Sequence, residues 1–242
     1  MLADPTSLII ALVAVIAGSA LQSLSGLGLA VIASPILILI NPSFLPVPIL
    51  ILGCILSLLN CARYRQQLNF GNIKLALIGR VPGSIIGVIL LVLFPPITFA
   101  IFFSLFIMLS VLMTYRHINI YHSPRNLLLA GFFSGVMGTT TSVGGPPIAL
   151  VYQNSKLRTA RAELGLFFLI GTLLSLMLLG ISGNVSTVQL QLTLPLIPAV
   201  IIGFYLSLWL DKYLKQLYLK PLIATLSLGS CCIILFKSFL AL

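Results

Sequence analysis

The sequence predicts an all-α polytopic membrane protein of two inverted repeats, each a re-entrant or broken-helix hairpin plus three transmembrane helices. Three observations predict it. The chain is 60% hydrophobic and 7% charged over 242 residues, with a mean hydropathy of +1.20, whereas a soluble domain carries about 25% charged residues. Its basic residues fall in short clusters between apolar spans. Small and proline residues recur in the same order in its two halves.

About ten hydrophobic segments fill the chain. Apolar stretches of about 20 residues cross a bilayer as helices, because lipid offers backbone N–H and C=O groups no other partner. Full-length spans are expected at Val47–Cys61, Ile73–Leu93, Ile97–Met113, Ala162–Ile181, Leu190–Leu210 and Leu222–Leu235. Met1–Thr6 lacks a basic n-region, and the apolar run from Ser7 leads into more membrane-like sequence. No cleavable signal peptide is expected.

Two stretches break the pattern. Ser7 to Ile40 is long enough for two crossings, but Gln22-Ser23-Leu24-Ser25-Gly26-Leu27-Gly28 interrupts it. The arm left before Asn41-Pro42 reaches roughly 18 Å, against a hydrocarbon core of about 30 Å. Asn126 to Gln153 repeats the arrangement around Gly138-Thr139-Thr140-Thr141-Ser142-Val143-Gly144-Gly145-Pro146-Pro147. Both read as helical hairpins whose tips stop inside the membrane. Non-helical backbone is tolerated at that depth only when buried in protein or lining a wet cavity.

The formal net charge of +10 suggests nucleic acid, but its distribution excludes that partner. Arg63, Arg65 and Lys74 flank one hydrophilic break, and Arg116 and Arg125 the next. Lys156, Arg158 and Arg161 mark a third, and Lys212, Lys215 and Lys220 a fourth. Such loops anchor the cytoplasmic side. Asn41–Pro46, Phe94–Pro96 and Ser182–Thr187 carry no basic residue and read as external. The first hairpin then enters from outside and the second from the cytoplasm, so the halves, residues 1–120 and 121–242, run in opposite senses with both termini outside. Gly18, Ser25 and Gly28 recur as Gly135, Ser142 and Gly145 at a shift of 117, and Pro82 and Gly87 as Pro198 and Gly203 at a shift of 116. Inverted repeats with broken helices characterise secondary transporters, which bind substrate near the midplane.

The tips have the chemistry of an anion site. Each short second arm begins at its tip, and a helix N-terminus carries roughly half a positive charge. Gly26, Gly28, Gly144 and Gly145 allow close backbone approach and positive φ. Pro146 or Pro147 suits a first helical turn, where the missing N–H is not needed. Gln22, Ser25, Thr140, Thr141 and Ser142 add neutral donors. The competing explanation is that these small residues only permit tight helix packing.

Charged groups near the spans have interfacial explanations. Arg80 lies about 9 Å beyond Lys74 along its helix, and snorkelling to the cytoplasmic interface is expected. Its other role would be a fixed cation for the anion. Glu163, one turn from Arg158 and Arg161, is expected to form an ion pair there rather than a proton relay. His117 and His122 fall in a basic loop. Cys54, Cys61, Cys231 and Cys232 form no CxxC pair and read as small buried hydrophobes; no cofactor and no metal are expected.

"LQSLSGLGLAVIASPILIL" and "GVMGTTTSVGGPPIALVY" resemble the two signature stretches of the sulfite exporter TauE/SafE family. "GRVPGSIIGVILL" and "RTARAELGLFFLIGTLLSLMLLG" are similar to further parts of it, so the resemblance covers nearly the whole chain. It implies a multi-pass transporter of a bacterial inner membrane, moving sulfur-containing anions such as sulfite, thiosulfate or organosulfonates. By match to the motifs it points to Gln22, Gly26, Gly28 and Pro35 in the first tip, and to Ser142, Gly145, Pro146 and Pro147 in the second. The first tip reads Gly-Leu-Gly-Leu where many relatives carry Phe after each Gly.

The expected function is therefore a secondary transporter, not an enzyme, whose partners are the lipid bilayer and a small anion. An anion channel of the same architecture is the near alternative. An intramembrane serine hydrolase acting through Ser25 or Ser142 would need a base within hydrogen-bond reach. Nothing in the sequence sets the oligomeric state.

Overall fold

A computed structural model describes residues 4–26, 29–94 and 121–213, together with Leu105 and Met108. Among these residues the secondary structure is helical throughout: α1 (Pro5–Ser25), α2 (Ala30–Ile40), α3 (Val47–Arg63), α4 (Phe70–Leu93), α5 (Pro124–Thr141), α6 (Gly145–Val151), α7 (Leu157–Ile181), α8 (Thr187–Thr193) and α9 (Ile197–Leu210). Five stretches are long and apolar enough to cross a membrane: Pro5–Ser25, Pro42–Arg63, Ile73–Leu93, Leu157–Ile181 and Thr187–Leu210. The chain is a multi-pass membrane protein. The spans expected at Ile97–Met113 (Leu105 and Met108 apart) and Leu222–Leu235 lie outside the described residues.

Both interrupted stretches fold as a long helix, a break and a short helix. Each long arm starts in the same way. Asp4 accepts from the Thr6 N–H with Pro5 opening α1, and Ser123 accepts from the Asn126 N–H with Pro124 opening α5. A side-chain cap followed by proline satisfies one orphan donor and removes another. Each long arm also ends on a left-handed residue, Gly26 at φ 75° and Ser142 at φ 64°. The second tip corrects the expectation that its glycines would take positive φ: Gly144 has φ −89°. Ser142 is held in the left-handed region by its side chain, whose Oγ donates to the Pro46 carbonyl at 2.9 Å. A non-glycine residue adopts that conformation rarely, and a polar contact of this kind secures it. Gly28 lies outside the described residues.

The two long arms reach α3 near opposite ends. In the first hairpin, Ser23 Oγ accepts from Asn60 Nδ2 at 3.2 Å. In the second, Ser142 reaches Pro46. Pro46 and Asn60 are separated by roughly 21 Å along α3.

The basic loops gather at one end. There Arg63 and Arg161 each meet Asp211 at 3.0 Å, and Arg161 also donates to the Tyr64 hydroxyl. The uncharged loops gather at the other, where Gln189 Nε2 donates to the Leu45 carbonyl at 3.3 Å. The partner of Arg161 is thus Asp211 and not Glu163; Glu163 is buried beside the Tyr152 phenol.

Glycine lets helices touch through their backbones. A β-carbon built on Gly79 or Gly83 of α4 would lie 2.1 Å from the carbonyl oxygens of Leu128 and Phe132, and one on Gly131 of α5 1.9 Å from that of Ala76. Residues advance together along both helices, so α4 and α5 cross in parallel on a small-xxx-small face. Gly203 of α9 meets α1 similarly, its β-carbon position 2.5 Å from the Ile16 carbonyl oxygen. α3 and α7 run antiparallel: Gly165 faces Asn60 and Cys61, while Leu179 packs with Val47 and Leu50. Outward faces of α4 and α9 expose Val81, Ile85, Ile89, Ile201, Ile202 and Tyr205, an apolar surface suited to lipid.

Candidate functional site

A small cavity lies among the two hairpins, α3, α4 and α7. Gln22, Leu29 and Ala30 line it from the first hairpin, Ser142, Gly144 and Gly145 from the second. Gly53 and Ser57 of α3, Thr172 of α7 and Arg80 of α4 complete its polar and small-residue lining. Its volume is about 30 Å³, roughly the space of one water molecule. The starts of both short helices, Ala30 of α2 and Gly145 of α6, are at its wall.

Arg80 corrects the snorkelling expectation. Its side chain is 1% exposed, with Nη1 donating to Ser134 Oγ at 3.0 Å and Cζ 4.8 Å from the centre of the Phe167 ring. Gly171 makes this path possible: a β-carbon there would lie 2.0 Å from Arg80 Nε. Ser134 passes the contact on by donating to the Gly144 carbonyl, so the guanidinium is connected to the second tip. Its Nε has no hydrogen-bond partner. Both ion pairs among the described residues belong to Asp211; Arg80 has no carboxylate. A buried charge without a counter-charge costs several kcal/mol, and a phenyl face plus one hydroxyl offset only part of that.

The predicted site residues divide into two groups. Gln22, Ser142, Gly144, Gly145 and Arg80 are brought together at the cavity. The Gln22 Oε1 accepts from the Leu29 N–H, bracing the turn into α2 and leaving the amide NH2 for other acceptors. Thr140, Thr141, Ser25, Gly26 and Pro146 do not line it. Thr140 and Thr141 donate back to Met137 or Val136 carbonyls of their own helix, and Ser25 does so to Leu21. Gly26 forms the left-handed end of α1 against Leu164, and Pro146 lies in the first turn of α6. The resemblance's Pro35 sits inside α2. The hydrolase alternative gains nothing from Ser142, whose hydroxyl donates to a backbone carbonyl.

Ser57 and Thr172 escaped the sequence reading. Ser57 Oγ is buried without a partner, whereas Thr172 Oγ1 donates to the Phe168 carbonyl at 2.7 Å. Their only sequence signal is a lone hydroxyl in an apolar span, which is shared by Ser84, Ser175 and Ser207.

No curated protein and no solved structure matched the sequence. The family described as Sulfite exporter TauE/SafE matches residues 10–234, and with that coverage of a multi-pass helical chain the protein belongs to the TauE/SafE family of membrane transporters.

Proposed function

We propose that the protein is a secondary transporter that moves a small sulfur-containing anion, such as sulfite, thiosulfate or a short organosulfonate, by alternating access around the cavity between its two hairpins. The observation that carries this reading is Arg80, a buried guanidinium without a carboxylate at a wall shared by both tips. An anion with several oxygens supplies the missing counter-charge and takes charge-assisted hydrogen bonds from it. Gln22, Ser57 and the starts of α2 and α6 supply further polarity. With the buried Arg80 at the wall, a small mono- or dianionic oxyanion fits.

Two inverted repeats, residues 1–120 and 121–242, are the architecture we infer. Its support is an exchange of partners. α4 of the first half packs on the long arm of the second hairpin, and α9 of the second half on the long arm of the first. Between them, α3 and α7 cross antiparallel. Left-handed residues end both long arms. A cavity of about 30 Å³ is roughly the space of one water molecule, so an oxyanion needs the two hairpins to part, as alternating access provides. The test is flux of labelled sulfite, thiosulfate and isethionate into proteoliposomes, with and without a proton gradient. Saturable flux of at least one is expected; no flux of any sulfur anion, with binding of a cation or neutral amino acid, would overturn the reading.

A further inference from the structure

A second cavity, of about 350 Å³, opens at the basic end of the molecule. Arg63, Tyr64 and Arg65 line it from the end of α3 and the turn after it, Arg158 and Arg161 from the start of α7, and Asp211 from the end of α9. Among the described residues lining it, four guanidiniums face one carboxylate. Asp211 is shared at 3.0 Å by Arg63 and Arg161. Although partial burial pushes its carboxyl up, the hydrogen bond and charge of Arg161, with those of Arg63, outweigh this and hold it below the usual carboxylate range. Donors still exceed acceptors. Arg63 Nη1 and Arg161 Nε are buried without a partner, and Arg65 and Arg158 are exposed.

We propose that this pocket is a second oxyanion site, in which Asp211 holds the place that an incoming sulfur oxyanion takes. The proposal rests on the anion-transport reading and extends it to the mouth of the transporter. The volume falls in the range of small-molecule sites, and guanidinium forks match oxyanions in geometry. Arg161 connects the pocket to the tip. Its Nη2 donates to the Leu24 carbonyl in the last turn of α1, two residues from the left-handed Gly26. An anion that displaces Asp211 from Arg161 therefore acts directly on the fastening of the first hairpin.

The test uses the full chain in phosphatidylcholine nanodiscs, titrated calorimetrically with thiosulfate and sulfate. Wild type is expected to bind at two classes of site, and Arg80→Met at one. In the Arg80→Met background, Arg65→Gln with Arg158→Gln should weaken that remaining site by about tenfold. Both are exposed side chains, so folding should be unaffected. Asp211→Asn should tighten it about three- to five-fold by removing the resident competitor. Loss of all binding in Arg80→Met, or binding indifferent to the two arginines, would overturn the second site and leave the transport reading standing. Retained pocket binding without flux would support the site and sink the transport reading alone. Repeating the titration in phosphatidylglycerol distinguishes a headgroup from a free anion: binding abolished in mixed bilayers at every thiosulfate concentration would assign the pocket to lipid and overturn the proposal.

Discussion

Replacing Arg80 by Met should stabilise the empty protein while cutting its response to anions to that of the pocket at the basic end. Arg80 is 1% exposed and has no carboxylate among the described residues. The substitution gives up a hydrogen bond from a charged donor to Ser134, worth about 1.5–3 kcal/mol, and the contact with Phe167, worth about 0.5–2 kcal/mol. Against this stands the burial of an uncompensated guanidinium, an effective penalty of several kcal/mol. Methionine has a flexible, apolar chain that follows the same path over Gly171. The balance favours Arg80→Met by roughly 1–3 kcal/mol in the absence of anion. Thermal unfolding of the purified protein, read with a dye that reacts with thiols exposed on unfolding, such as that of the buried Cys61, measures it. Wild type should rise in midpoint with thiosulfate; Arg80→Met should start higher and rise less, and in the Arg80→Met, Arg65→Gln, Arg158→Gln background the remaining rise should shrink further. A variant less stable than wild type by more than about 2 kcal/mol would mean that Arg80 is a satisfied strut, and the counter-charge reasoning would fail.

Four further outcomes are expected. Gly171→Ala places a methyl 2.0 Å from Arg80 Nε and should cost about 1–3 kcal/mol; Arg80→Ala should rescue its stability but not transport, a coupling read by a double-mutant cycle. Gly203→Leu should lower yield and thermal stability, because its β-carbon position is 2.5 Å from the Ile16 carbonyl oxygen, and normal expression would contradict the backbone contact. On a cysteine-free background, Ser182→Cys and Tyr121→Cys should label oppositely with an impermeant thiol reagent applied outside; equal labelling in intact cells would overturn the proposed inverted topology. Since Asp211 has a lowered pKa, its contribution to stability is present above its unfolded value of about 4 and is lost as pH falls through the lower folded value. Wild type should thus lose more thermal stability than Asp211→Asn on acidification below about pH 4, and parallel curves would deny the ion pairs any role.

Local rules made the spans and the breaks legible. Sustained hydropathy marks α3, α4 and α7, and clusters of glycine and hydroxyl residues mark the ends of α1 and α5. Depth was not legible. A tip's distance from the surface depends on where its long arm begins, and the Asp4-Pro5 and Ser123-Pro124 caps set that start by side-chain bonds that hydropathy does not register. Arg80 was misread because the nearby Lys74 offered a local route to water. What decides its direction is Gly171, a residue 91 positions away in the sequence, which leaves room for the side chain beneath Phe167. The partner of Arg161 was missed for the same reason: Glu163 is near in sequence, whereas Asp211 arrives from α9. Contacts between distant segments carry the site, and one sequence without its fold does not contain them in readable form.

On the proposed reading, the same contacts limit what can move. α4 and α5 meet through backbone at Gly79, Gly83 and Gly131, and such interfaces do not slide without lifting apart. The contact of α9 with α1 at Gly203 is of the same kind. Each long arm is therefore tied to a helix of the other half; with α7 packed on α4 and α3 on α9, the movable boundary of the proposed transporter would lie between these two assemblies, where the cavity is. Two fasteners cross it at opposite ends. Ser142 Oγ holds the Pro46 carbonyl at one, and Arg161 holds Leu24, Tyr64 and Asp211 at the other. With both closed, the space beside Arg80 is about 30 Å³. In the proposed alternating-access cycle, one fastener would open to admit the anion while the other stays shut. The Arg161 fastener is charged and is contested directly by the substrate's own charge; the Ser142 bond is a neutral hydrogen bond, which an anion contests more weakly. Opening at the basic end should therefore depend more steeply on anion concentration than opening at the other end.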